Sequence, residues 1–535
     1  MAESSVPIGQ ADNKAAFVDA NGATAWLAGQ PQANAPAMLA GLVAQIQAFN
    51  SAFTAPRERF KTLEALRKTI FAVSQECQRR YENKPLPLLP AEQTALDMSR
   101  RLWRSCAVGY MHCLRACLEK DGSIASHGAQ VAHRVLACLR MEQMNCYFAG
   151  ADLDGEFWRN LHSVWVSAEQ LGKTSDLVED RLLGETSKST VRGQYCMVLT
   201  LHLARPFTLS RGQLAAAVRW FARWRELAAV LAEPDQSPKS CCIAINLSQD
   251  RPLHDSPQDA SVGRWLLLDG VLQKMRKRLE LLAKGDSPEV LKLGSGLSSE
   301  ACVALLTTLS EHLRYPQKTP IGALLEASPI TVAAGLENIN RLLGGKGLKI
   351  SVQHASLGTQ LSHHEQVALF GRAVRDAEES GECKSEIWQI TQQAPGVLNL
   401  FCPAGNSEAR LVLGGLLCVK LPQHEHFTLA TISGLNTRAD GGLCVAASLF
   451  DGEPSPLIAE VREKPAGKLS RHPAFLLRGR EEGSTPLVVL PIGLPARALS
   501  FRFFEAREQS LIALRLVENL GRGGDIERWS AAIDA

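Results

Sequence analysis

No apolar run in these 535 residues approaches the roughly 20 that a membrane-spanning helix needs, so nothing in the sequence reads as a helical membrane anchor. An excess of one charge is also missing. With 58 Lys and Arg against 55 Asp and Glu the formal charge is +3, too small for a dedicated duplex nucleic-acid binder that must neutralise many phosphates. The 14 cysteines include no Cys-x-x-Cys pair, so a structural zinc site is not expected. Catalytic signatures are absent as well: no Gly-x-Ser-x-Gly elbow, no Ser-His-Asp context, no supported carboxylate pair and no dinucleotide fingerprint. The weight moves from catalysis to binding, with an enzyme lacking any recognisable motif as the remaining alternative.

What is present is an apolar fraction of 45% with 21% charged residues, the composition of a globular protein, in a chain long enough for two to four cores. The opening Met-Ala-Glu-Ser-Ser-Val-Pro has neither a basic nor an apolar leader region, and a cytoplasmic location is expected. Cys106, Cys113 and Cys117 recur at helical spacing among apolar neighbours, as reduced thiols acting as small hydrophobes do.

The pattern predicts an α+β, multidomain chain. Residues 1–35, rich in Ala, Gly, Gln and Asn, read as a mobile tail. Residues 36–233 form an irregular helical bundle or loose solenoid: Phe60, Leu63, Leu66, Ile70 and Val73 mark one buried stripe, and Leu102, Cys106, Tyr110, Cys113 and Cys117 mark another. Residues 234–262 are a linker around one short strand, Cys242–Asn246, and 263–315 a helical connector whose first helix is predicted over 264–283. From Pro329 strands dominate. Residues 316–455 are predicted as an antiparallel β-barrel with a helical insertion, and 456–535 as further strands ending in a frayed tail from Arg522.

Within that barrel, Trp388-Gln-Ile leads through Gln393-Ala-Pro-Gly396 into Val397-Leu-Asn-Leu-Phe401. Arg410 to Lys420 and Phe427 to Leu435 follow as further strands. This order of parts resembles a PilZ domain, the bacterial receptor module for cyclic di-GMP. The Arg57-to-Tyr81 helix, the Trp158-to-Ala168 segment and the Tyr195-to-Pro206 helix end add a resemblance to the FimW-type surface-attachment receptors. The resemblance implies a non-enzymatic signalling adaptor with no cofactor, whose possible ligand is cyclic di-GMP. It also implies that the helical half engages protein partners controlling adhesion, motility or type IV pili.

Cyclic di-GMP carries two phosphates and two guanines, so its receptor needs arginines that fork onto phosphate or guanine and stack on the purine. PilZ domains resemble one another in an Arg-x-x-x-Arg segment and an Asp/Asn-x-Ser-x-x-Gly turn. The turn aligns with Thr391-Gln-Gln393-Ala-Pro-Gly396, where Gly396 is kept and Gln393 stands at the serine position. For the arginine pair the candidates are Arg314 with Lys318, or Arg372 with Arg375. Loss of these polar residues leaves open a second reading, a protein-interaction scaffold with a degenerate PilZ domain.

Other groups are read more plainly. His424-Glu-His426 is an exposed turn or a metal pair, and His363-His364 is surface. Cys241-Cys242 opens a half-buried strand, and Gly294-Ser-Gly296 is a turn with Ser298 or Ser299 capping the next helix. Trp220 and Trp224, four residues apart among Arg219, Arg223 and Arg225, read as core packing behind a basic face. A stacking platform for nucleic acid is the alternative. Lys274 to Arg278 form a second basic face.

Overall fold

The computed structural model describes residues 14–31, 33–182, 187–237, 239–253, 263–315, 328–345, 383–422, 424–465, 468–479, 485–507 and 510–533. Two units divide the chain, one of residues 1–320 with 436–440 and one of 321–435 with 441–535. The first is helical, the second almost wholly β, as the α+β reading expected.

The helical unit begins with α1 (Ala20–Ala28), α2 (Ala35–Ser51), α3 (Pro56–Gln78), α4 (Pro90–Leu118), α5 (Gly128–Phe148) and α6 (Gly155–Gln170). A short hairpin of β1 (Leu177–Glu179) and β2 (Lys188–Thr190) leads to α7 (Val191–Leu203) and α8 (Arg211–Trp224). Proline opens α3 and α4, where a missing backbone N–H costs nothing, and Asp154, Thr190 and Ser210 cap α6, α7 and α8 with side-chain oxygens. Both apolar stripes point into one core. Helix α5 runs through its centre and is buried along nearly its whole length, although it carries His133, Arg134, Arg140, Glu142 and Gln143.

Three parts of the helical unit differ from the sequence expectation. The expected tail 1–35 contains α1, capped by Asp19, and Phe17 packs 5.7 Å from Trp26 and 5.4 Å from Phe49. A few large anchors in a small-residue segment escape a reading based on composition. The expected linker and connector fold into the same core: β3 (Ala229–Leu231), β4 (Cys242–Ile245) and β5 (Arg264–Leu267) form a sheet in the order β3-β5-β4. Arg264–Leu267 is therefore a strand rather than the start of the helix, because it is the centre of that sheet and pairs on both sides. Helices α9 (Asp269–Ala283) and α10 (Ser299–Arg314) complete the unit.

In the β unit, β6 (Ser328–Ala334) is followed by α11 (Leu336–Leu342), β7 (Glu386–Ala394), β8 (Val397–Cys402), β9 (Leu416–Lys420), β10 (Thr428–Thr437) and β11 (Leu443–Leu449). The six strands close into a barrel in the order β10-β11-β8-β7-β6-β9, with β9 paired to β10. The C-terminal strands form a second sheet: β12 (Glu453–Glu463), β13 (Lys468–Arg478), β14 (Leu487–Pro491), β15 (Ala498–Glu505), β16 (Leu511–Ile512), β17 (Leu514–Arg522) and β18 (Ile526–Ile533), ordered β16-β15-β12-β13-β14-β18-β17. Alternation explains its two-sided burial. Phe475, Leu477 and Val489 join a cluster with Leu416, Cys418 and Leu429 of the barrel, while Ala474, Leu476 and Val488 join Leu457, Val461 and Phe503 on the other face.

The expected frayed end from Arg522 is instead a tight turn into β18. Gly414, at φ +79°, passes so close to that turn that a Cβ on it would lie 2.6 Å from Gly524 N, and Asp525 Oδ1 accepts the Leu416 N–H at 3.0 Å. Gly414→Ala is expected to cost about 1–3 kcal/mol through left-handed strain and overpacking. The check is faster hydrogen exchange in peptides from β9 and β18, with exchange in α5 unchanged.

Candidate functional site

The β7–β8 hairpin carries the residues that align with the nucleotide-reading turn. Gly396 sits at φ +73° in an exposed turn, with open space where a Cβ would be, and its carbonyl accepts the Leu449 N–H at 2.8 Å. A register shift between Ile390 and Gln392 bulges β7, so that both Ile390 and Thr391 are buried. Thr391 Oγ1 donates to the Asn399 carbonyl at 3.1 Å, and Asn399 Nδ2 donates to Gln392 Oε1 at 2.9 Å. Thr391 thus ties the barrel together, while Gln393 beside it is exposed. Sequence reasoning passed over Asn399, whose signal was one amide in the otherwise apolar run Val397–Phe401. Arg314 is the exposed last residue of α10 and belongs to the helical unit. Lys318, Arg372 and Arg375 lie outside the described residues, as do His363 and His364.

The helical unit holds a second polar constellation, around α5. Arg67 Nη2 donates to Asp180 Oδ2 at 2.7 Å, and Arg134 Nη1 reaches the same oxygen at 3.1 Å. Arg134 Nε also bonds Glu64 Oε1 at 3.0 Å, and Tyr110 Oη donates to that oxygen at 2.7 Å. Burial raises the Asp180 carboxyl, but Arg67 and Arg134 outweigh it and hold the group below the usual range. His133 lies at the end of this network, its Nε2 2.7 Å from Ser189 Oγ. A parallel arrangement ties Arg100 and Arg104 of α4 to Glu142 and Asp154, with Arg104 Nε 2.6 Å from Glu142 Oε1. Charges on a buried helix need such partners, and these networks fix how α3, α4 and α6 meet α5. No single window of sequence reveals them, because Arg67 and Asp180 are 113 residues apart.

The remaining groups are structural. Trp220 and Trp224 are buried and stacked with centroids 6.0 Å apart, so neither indole is presented as a base-stacking platform. Cys241 donates to the Leu313 carbonyl, and burial pushes its thiol up to about 11. His424, Glu425 and His426 are exposed, and among the described residues no three His, Cys, Asp or Glu side chains are grouped to hold a metal ion. No helix among those residues is long and apolar enough to cross a membrane.

A helical unit joined in one chain to a closed six-stranded antiparallel barrel defines the class as an α+β protein. Residues 21–235, from α1 to just past β3, match the family described as cyclic-di-GMP receptor FimW, N-terminal domain. The match covers fewer than half of the 535 residues and does not include the barrel. No curated protein and no solved structure matches the chain.

Proposed function

We propose that this chain is a non-enzymatic, cytoplasmic cyclic di-GMP effector in which a PilZ-like barrel receives the nucleotide. In this reading the helical unit engages protein partners that govern surface attachment, motility or type IV pili. The match of residues 21–235 to the FimW N-terminal family carries the proposal. The closed barrel and the exposed, left-handed Gly396, where a Cβ would meet nothing within 4 Å, support it. One observation favours a second reading, a scaffold that no longer binds nucleotide: Thr391 spends its hydroxyl on Asn399 inside the barrel.

Titration calorimetry of the whole chain with cyclic di-GMP separates the two. The effector reading expects micromolar binding, weakened about tenfold by Lys318→Ala or Gln393→Ala, the worth of one charge-assisted contact. Binding that survives both substitutions moves the site to Arg372 and Arg375. Absence of heat at high micromolar nucleotide overturns the effector reading and leaves the scaffold.

A further inference from the structure

The C-terminal sheet ends in an edge strand whose charges do not guard it. β17 stands last in the order β16-β15-β12-β13-β14-β18-β17, held on one side by β18 from Leu514↔Ile533 to Arg522↔Glu527. The chain reaches it from β16, which pairs with β15 only at Leu511 and Ile512, and among the described residues no strand pairs with the second side of β17. Leu514 and Leu516 turn inward onto the core of this sheet, and so does Asn519, whose Nδ2 is 3.4 Å from Glu527 Oε2. A register shift between Leu516 and Asn519 bulges the strand, so that Val517 and Glu518 are both exposed. The outward face is therefore Arg515, Val517, Glu518, Leu520 and Arg522, with Val517 59% and Leu520 50% exposed.

An open edge offers its N–H and C=O groups to any extended chain, and proteins blunt such edges with charges that repel a second copy. Arg515 and Glu518 do the reverse. They are opposite in sign, and neither has a side-chain partner among the described residues. Antiparallel pairing of β17 with itself about a two-fold axis between Val517 and Glu518 sets Leu514 opposite Gly521, Leu516 opposite Asn519 and Arg515 opposite Leu520. Inward then meets inward and outward meets outward, whereas a slip of one residue turns core-facing side chains against exposed ones. In the matched register Arg515 of each copy lies diagonal to Glu518 of the other, within reach of its long side chain, and the two-fold makes this contact twice. Val517 and Leu520 meet diagonally across the same axis, which covers both. Arg522, already paired with the buried Glu527 at 3.2 Å, lies beyond the paired stretch.

We propose that β17 is a homodimerisation edge, through which two copies of this chain join by antiparallel β17 strands into one continuous sheet. The pairing needs no ligand at the β7–β8 turn and stands whether or not the barrel binds nucleotide. A single strand pair buries less than the roughly 1,200–2,000 Å² of stable interfaces, so the association is micromolar.

Sedimentation velocity of the full chain, from low to high micromolar, tests this on wild type, Arg515→Glu, Glu518→Arg and the double reversal, with far-ultraviolet circular dichroism checking each fold. Either single reversal sets like charges across the axis and is expected to weaken the dimer about tenfold. The double reversal restores opposite charges and is expected to dimerise as wild type does. Hydrogen exchange within residues 514–522 is expected to slow as the wild-type concentration rises, which places the contact on this edge. The proposal is overturned if wild type stays monomeric through high micromolar, if the single reversals dimerise as tightly as wild type, or if the double reversal stays monomeric.

Discussion

Asp180→Ala is expected to destabilise the helical unit by about 3 kcal/mol, because it removes the carboxylate shared by the buried Arg134 and the half-buried Arg67 and leaves their charge poorly compensated. The geometry sets the size of the effect. Asp180 Oδ2 takes both Arg67 and Arg134, its Oδ1 accepts the Leu182 N–H at 3.1 Å, and its side chain is only 3% exposed. After the substitution Glu64 alone faces both cations, from a side chain 25% exposed where water screens it. Glu64→Gln is therefore expected to cost less, about 1–2 kcal/mol, since the amide still accepts from Tyr110 and Arg134 and water reaches the site. Asp180→Asn should fall near Asp180→Ala, as charge rather than volume is what the arginines lose. Urea unfolding followed by helical circular dichroism measures all three. An Asp180→Ala protein within about 1 kcal/mol of wild type would show that the network is solvated rather than load-carrying in the fold.

This network also shows what the sequence made legible. The stripes on α3 and α4 were readable because each repeats within one helix, and both point into the core. Several strands of the barrel were readable, since β7 and β8 flank a Gly turn, and β6 was visible as Ile330-Thr-Val-Ala-Ala. What failed depended on distant partners. Arg264–Leu267 looks like the first turn of α9 until Ala229–Leu231 and Cys242–Ile245 are seen pairing on either side of it. Arg522 to Asp525 looks like a fraying end until Gly414 is found against it. The inward turn of Thr391 comes from a one-residue bulge, which a linear motif comparison cannot detect. Arg219 and Arg223 were visible as a basic face, but the Lys292 carbonyl that Arg223 holds lies 69 positions away in the chain.

Acid should weaken the helical unit well above the pH at which carboxylates titrate, and His133 is one of two main causes, with His202. Its ring is fully buried, with Nε2 on Ser189 Oγ at 2.7 Å and Nδ1 3.4 Å from Arg134 Nη1. That pattern suits the neutral ring, Nδ1 accepting from the guanidinium and Nε2–H donating to the hydroxyl. A second proton would set an N–H against Arg134. Burial first, and then Arg134, move the group from its usual 6.5 to about 3, with Asp180 at 3.9 Å opposing only in part. Because the folded value lies below the unfolded one, the unfolded chain binds the extra proton. Stability is then fully present above pH 6.5 and declines as pH falls toward 3. The loss expected from this one residue is about 2 kcal/mol between pH 7 and pH 5 and about 4 kcal/mol by pH 3. His202, moved to about 4 by burial, acts in the same direction, whereas the Asp180 contribution is lost only below the ordinary carboxylate range. Urea unfolding at pH 7 and pH 5 should therefore show a fall that His133→Gln reduces by about 2 kcal/mol. If His133→Gln and wild type lose the same stability over that interval, the ring is charged in the folded protein and the assignment of its neutral form is wrong.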